Sequence, residues 1–118
     1  MESLCRSELF LILFLTDILA DNELYMWGSN KYGQLGLGDT QDRNIPQYTG
    51  LTIDAISVGS EHNLVLKSNS IHVFGWSEHG QLGLNDELDR CLPRVIPNLQ
   101  VDNVFTGYGF SFALSNSF

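Results

Sequence analysis

Trp27-Gly28-Ser29-Asn30-Lys31-Tyr32-Gly33-Gln34-Leu35-Gly36-Leu37-Gly38-Asp39 returns 47 residues later as Phe74-Gly75-Trp76-Ser77-Glu78-His79-Gly80-Gln81-Leu82-Gly83-Leu84-Asn85-Asp86. The same spacing carries Asp42-Arg43 onto Asp89-Arg90 and Pro46 onto Pro93. Self-similarity of this length marks an architecture in which one supersecondary unit stacks on copies of itself. Such an array is first of all a binding surface.

Each unit reads as four short strands. In the complete one, residues 53–58 form the first strand and Gly59-Ser60-Glu61 turns the chain. Residues 62–67 form the second strand, Ser68-Asn69-Ser70 a three-residue hairpin loop, and residues 71–76 the third strand. The fourth strand follows Pro93. Leu64, Val65 and Leu66 are consecutive and apolar, which predicts a sheet covered on both faces. Neighbouring propeller blades cover each other in this way. Gly33 and Gly36 bracket Gln34-Leu35, and Gly80 and Gly83 bracket Gln81-Leu82, in a tight turn; Leu35 and Leu82 are expected to plug the gap between blades. No helical period follows either turn, which argues against a phosphate-binding loop.

The N-terminus departs from the pattern. Leu9-Phe10-Leu11-Ile12-Leu13-Phe14-Leu15 is apolar but too short to span a bilayer. A signal peptide would use this run with Ala20 as its cleavage residue, but Glu2 and Glu8 flank Arg6, and Asp17 follows the run. The repeat spacing lays residues 63–71 onto 16–24. Residues 1–19 are expected to be an irregular or apolar N-terminal segment, with helix as the regular element it could take. Residues 20–118 divide into a partial blade (20–50), a full blade (51–98) and a half blade (99–115).

With 43% hydrophobic residues the chain is composed like a globular protein, and at 118 residues it can hold one small domain. Its formal net charge is −8, with no basic run. That excludes nucleic acid as a favoured partner and disfavours an anionic membrane surface. A protein with a basic patch is the electrostatic fit. Cys5 and Cys91 form neither a Cys-x-x-Cys pair nor a zinc spacing. They read as free or buried thiols, with a disulfide between them as the alternative.

These motifs resemble the regulator of chromosome condensation repeat family, whose unit runs Gly-x-x-His, a hairpin, Trp-Gly-x-Asn-x-x-Gly-Gln-Leu-Gly-x-Gly, then a Pro before the last strand. Residues 24–115 fit that unit. Trp27, Gly28, Gly33, Gln34, Leu35 and Gly36 carry the signature once, and Gly75, Gly80, Gln81, Leu82 and Gly83 carry it again. Gly59-Ser60-Glu61-His62 and the terminal 107–114, with Phe110 where the repeat usually has His, look like the last blades of secretion-regulating guanine nucleotide exchange factors and alpha-tubulin suppressors. The resemblance implies an all-β fold: a partial β-propeller of about two four-stranded blades, a fragment of a seven-bladed type. It implies a non-enzymatic protein-interaction module without cofactor or metal. Regulation of small GTPases, as in guanine nucleotide exchange factors, or of the cytoskeleton or secretion is the implied role. A cytoplasmic or nuclear location follows from it, with secretion as the alternative. No exchange residue of the family maps onto this chain. Open blade faces would favour self-association.

One polar cluster stands apart. Ser60-Glu61-His62 and Ser77-Glu78-His79 are the same tripeptide. A hairpin centred on Asn69 would pair His62 with Trp76 and bring both turns to one face. Glu61, His62, Glu78 and His79 are thus the candidate interaction cluster. The rival reading makes them a metal-dependent or acid–base centre. The structural reading has His62 bonding within the blade and the others in solvent. His72, between Ile71 and Val73, reads as a packed strand residue.

Overall fold

The computed structural model describes the backbone of residues 2–4, 10–15 and 22–116, and the side chains of 22–116. Every regular element among them is a strand. The first sheet orders β1 (Glu2–Leu4), β2 (Phe10–Leu15), β3 (Asn22–Gly28) and β4 (Arg43–Ile53). The second orders β5 (Ala55–Val58), β6 (His62–Lys67), β7 (Ser70–Gly75) and β8 (Arg90–Gln100). β9 (Asn103–Thr106) and β10 (Ser111–Leu114) make a two-stranded sheet. All pairings are antiparallel and between sequence neighbours, the meander of a propeller blade.

The N-terminal expectation is corrected here. Residues 2–4 and 10–15 are strand, not helix or irregular chain, and Phe10–Leu15 pairs with β3 along its whole length. A short unbroken apolar run has no periodicity to separate helix from strand. The unpaired edge of β3 decides it, because its N–H and C=O groups need partners. The strand also lies upstream of residues 16–20, where the repeat spacing would put it. The cleavage reading at Ala20 and the thiol of Cys5 fall outside the described residues.

Two apolar layers hold the blades together. Leu24, Met26, Leu35 and Ile53 of the first blade bury against Val65 and Phe74 of the second. Leu64, Leu66, Ile71, Val73 and Leu82 of the second bury against Val101 and Val104 at the third sheet. Consecutive residues Leu64, Val65 and Leu66 thus feed opposite cores, as the apolar triplet predicts. Leu35 and Leu82 are fully buried between blades.

The hairpin is tighter than expected. Ser68 and Asn69 both have positive φ, 52° and 67°, and Lys67 pairs with Ser70. This is a two-residue loop of the type that matches strand twist. The register therefore shifts by one, and His62 faces Gly75 rather than Trp76.

Candidate interaction face

Backbone hydrogen bonds close each Gly-x-x-Gly turn. Gly33 N–H donates to Asn30 O and Gly36 N–H to Gly33 O, both at 3.0 Å; Gly80 and Gly83 repeat the pattern at 2.9 and 3.0 Å. Asn30, fully buried, ties the long loop behind the first turn. Its Nδ2 donates to Asp39 O, Asp39 Oδ1 and Gln41 O, and its Oδ1 accepts from Leu35 N–H. Arg43 closes the loop on Asp39, as Arg90 does on Asp86, each at 2.8 Å. The paired arginine holds each of these half-buried aspartates below its usual pKa.

Each turn is clasped by the next sheet. Asn63 Nδ2 donates to Gln34 O at 2.6 Å, and Ser111 Oγ donates to Gln81 O at 2.7 Å. Ser111 stands 48 residues after Asn63, so the clasp belongs to the repeat, lengthened by one residue within β8. With its proton committed to Gln81, the Ser111 hydroxyl must accept from His62 Nε2, 3.0 Å away. That makes His62 the Nε2–H tautomer, with Nδ1 bare beside Gly59. A Cβ on Gly59 would lie 2.3 Å from the imidazole, so only glycine fits there.

The four predicted cluster residues separate into two pairs. Glu61 is half-buried and accepts from Gln34 Nε2 at 2.8 Å. Burial pushes its carboxyl up, opposed by the Lys31 charge. His62 is fully buried, and burial holds its pKa below the ordinary imidazole value, opposed by a backbone bond to Phe110. Glu78 and His79 are exposed. Glu61 and His62 therefore serve the junction between blades. No group of three or more His, Cys, Asp or Glu side chains among the described residues is placed to hold a metal. Cys91 is a free thiol. His72 is half-buried beside buried Ile71 and Val73, and burial lowers its pKa too.

The buried imidazoles set a pH dependence. A base whose folded pKa is lowered stabilises the fold fully above its unfolded value of 6.5, and less as pH falls toward the folded value. Glu61, raised above 4.5, contributes in the opposite direction over its own range. Thermal melts are expected to show stability falling from pH 7.5 to 6.0. His62→Phe, the residue of the equivalent position 110, should reduce that slope.

Around His79 lies an aromatic strip that sequence reasoning missed. The Tyr32 and Trp76 rings are 5.7 Å apart, and the Trp76 and His79 rings meet edge-on at 5.1 Å. Lys31 Nζ sits 5.4 Å from the centre of the Tyr32 ring. His79 also neighbours Gly109, which follows the exposed Tyr108. The Tyr32, Trp76 and His79 rings join loops of the first two blades, and the third sheet's loop approaches them at Gly109. Its signal was present in the sequence as departures between units: Trp76 stands where the first unit has Ser29, and Tyr108 where the second has Ser60.

The regulator of chromosome condensation (RCC1) repeat matches residues 21–66 and 68–114. The chain belongs to this repeat family. The ultraviolet-B receptor UVR8 of Arabidopsis thaliana is 41% identical over 49 residues, 38% of this chain and 11% of that protein. The probable E3 ubiquitin-protein ligase HERC4 of Mus musculus is 42% identical over 50 residues, 38% of this chain and 5% of that protein. Ras guanine nucleotide exchange factor C of Dictyostelium discoideum is 71% identical over 24 residues, 20% of this chain and 2% of that protein. Among solved structures, human WBSCR16 superposes with a TM-score of 0.73 at 24% identity, covering 88% of this chain and 28% of the other. Prp20p of Saccharomyces cerevisiae, described with its binding to Gsp1p and histones, gives 0.67 at 23%, covering 80% and 27%. These two likenesses establish the propeller fold. The chain spans little more than a quarter of either solved relative, and about a tenth or less of the sequence relatives.

Proposed function

We propose that the RCC1-repeat blades act as a non-enzymatic protein-interaction module, with Tyr32, Trp76, His79 and Tyr108 as the contact strip and a small GTPase as the partner class. One observation carries the reading: loops of two successive blades bring the partly exposed Tyr32 and Trp76 rings and the exposed His79 together, and the exposed Tyr108 precedes Gly109, which neighbours His79. Tyr and Trp dominate the energetics of protein interfaces, because a rigid ring buries much area at low entropic cost. Lys31 lies at the Tyr32 ring, and the exposed Glu78 adjoins His79 in sequence, which gives the strip charged neighbours. The net charge of −8 would speed encounter with a basic surface. The partner class rests on the relatives named for Ras exchange and for Gsp1p binding.

The test uses purified Gsp1p loaded with a fluorescent guanine nucleotide. The chain is expected to bind it saturably without accelerating nucleotide release. Trp76→Ala should weaken binding about tenfold or more. Absence of saturable binding, or unchanged binding by the Trp76 variant, would refute the reading.

A further inference from the structure

Two residues at the junction of the first two blades depart from the repeat together. Trp76 stands where the first unit has Ser29, and Glu61 stands where the next unit, 48 positions on, has Gly109. One chain of hydrogen bonds joins them to Tyr32. Tyr32 N–H donates to Gln34 Oε1 at 2.8 Å, Gln34 Nε2 donates to Glu61 Oε1 at 2.8 Å, and Trp76 N–H donates to Glu61 O at 2.9 Å. Short bonds thus tie the Glu61 carboxylate to the residues that carry the Tyr32 and Trp76 rings, themselves 5.7 Å apart. The turn does not need the carboxylate. At the second junction His79 N–H donates to Gln81 Oε1 at 2.8 Å, as Tyr32 N–H does to Gln34, while Gln81 Nε2 has no partner.

The carboxylate also lacks a paired cation. Glu61 is half-buried, and the ion pairs among the described side chains, Arg43–Asp39 and Arg90–Asp86, do not include it. Lys31 acts on it from a distance, with its Nζ 5.4 Å from the centre of the Tyr32 ring. Burial outweighs that charge and raises the Glu61 pKa. A partly desolvated anion without a partner costs free energy, which an incoming cation returns. The Lys31 ammonium beside Tyr32 shows that the rings already attract positive charge. A metal ion is a poor fit, since Glu61 belongs to no group of three or more ligating side chains among the described residues. A guanidinium fits better. Its plane stacks on an aromatic face while its N–H fork donates to a carboxylate, and it is more weakly hydrated than an ammonium. The net charge of −8 draws such a group in.

We infer that Tyr32, Trp76 and Glu61 form a receptor for one arginine side chain of the partner protein, whose guanidinium stacks on the rings and donates to the Glu61 carboxylate. The inference rests on the strip being a contact face and names the side chain that the face takes. It does not depend on the partner being a GTPase.

The probes are three blocked tripeptides, Gly-Arg-Gly, Gly-Lys-Gly and Gly-citrulline-Gly. Each is titrated at constant ionic strength into the full ¹⁵N-labelled chain while the Trp76 indole N–H is followed. Citrulline keeps the shape of arginine without its charge, and lysine keeps the charge without the planar fork. A saturable shift is expected with the arginine peptide, at least about fivefold tighter than with citrulline and about twofold tighter than with lysine. Glu61→Gln keeps an oxygen for Gln34 Nε2 and should bring the arginine peptide to within about twofold of the citrulline peptide. Glu87→Gln removes the same charge from an exposed loop position and should leave the arginine preference intact. The inference is overturned if Trp76 does not respond to the arginine peptide, if the lysine or citrulline peptide matches it, or if the preference survives Glu61→Gln. Loss of the preference in Glu87→Gln would overturn it too, by making the effect one of net charge. No Gsp1p is present in this titration, so the GTPase assignment and the arginine receptor fail in separate experiments.

Discussion

Gly33→Ala is expected to abolish cooperative folding or lower the melting temperature by more than about 10 °C. Two effects add. Gly33 has φ +77°, where an L-residue loses roughly 1–2 kcal/mol. A Cβ there would also lie 2.5 Å from Cys91 Cα, 2.7 Å from Cys91 Cβ and 3.0 Å from Arg90 O. These atoms belong to β8 of the next blade, so relief requires moving one blade off the other. Overpacking against atoms that can yield costs about 1–3 kcal/mol, and backbone yields less. The sum is a large share of a typical net stability of about 5–15 kcal/mol. Gly80→Ala is the control. Its φ is +75°, but the nearest atom to a Cβ is Asp86 O at 3.9 Å, so only the strain applies. The sequence assigns the two glycines the same role; the structure separates them, because Gly33 alone bears on a neighbouring strand. His79→Ala, at an exposed position, should be milder than either. Melting curves of the three variants check the order.

Asn30→Ala is expected to destabilise the chain by about 1–3 kcal/mol, since it strands the buried Leu35 N–H and removes three donated bonds that tie the loop. The Leu35 N–H and the carbonyls of Asp39 and Gln41 would all lose the amide. The second blade already shows the consequence in milder form. Ser77 occupies the Asn30 position there, and its buried Oγ has no partner. The loop around it is otherwise the same. Asp89 Oδ1 accepts from Ser77 N–H at 2.8 Å, as Asp42 Oδ1 does from Asn30 N–H. Arg90 Nη1 donates to Leu88 O, as Arg43 Nη1 does to Gln41 O. The acceptors an amide would need are thus in place. Ser77→Asn should therefore stabilise by about 1 kcal/mol. Chemical denaturation of both variants measures the pair; a neutral Asn30→Ala would remove the amide from its assigned role.

Much of the frame was legible because the repeat constrains it twice. The β6 strand lies where alternation and turn residues put it, and Leu64-Val65-Leu66 announced cores on both faces. What could not be read depended on contacts between units. The strand Phe10–Leu15 is chosen by the free edge of β3, not by its own period. The hairpin register turned on whether Ser70 belonged to the loop or the strand. The candidate cluster divides by burial because identical tripeptides meet different neighbours: Glu61-His62 abuts the turn of one blade and the sheet of the next, while Glu78-His79 is exposed on a loop. Tyr32 and Trp76 lie 44 residues apart in sequence, and only the stacking of blades makes them one strip.

The central claim, that the blades are a frame for an aromatic contact strip, is tested most directly by hydrogen exchange of the chain with and without Gsp1p. Backbone amides of residues 31–34, 76–80 and 107–109 are predicted to slow in the complex, with β4 and β8 unchanged. Slowing confined to β4 and β8 would place the contact on the outer strands and contradict the account.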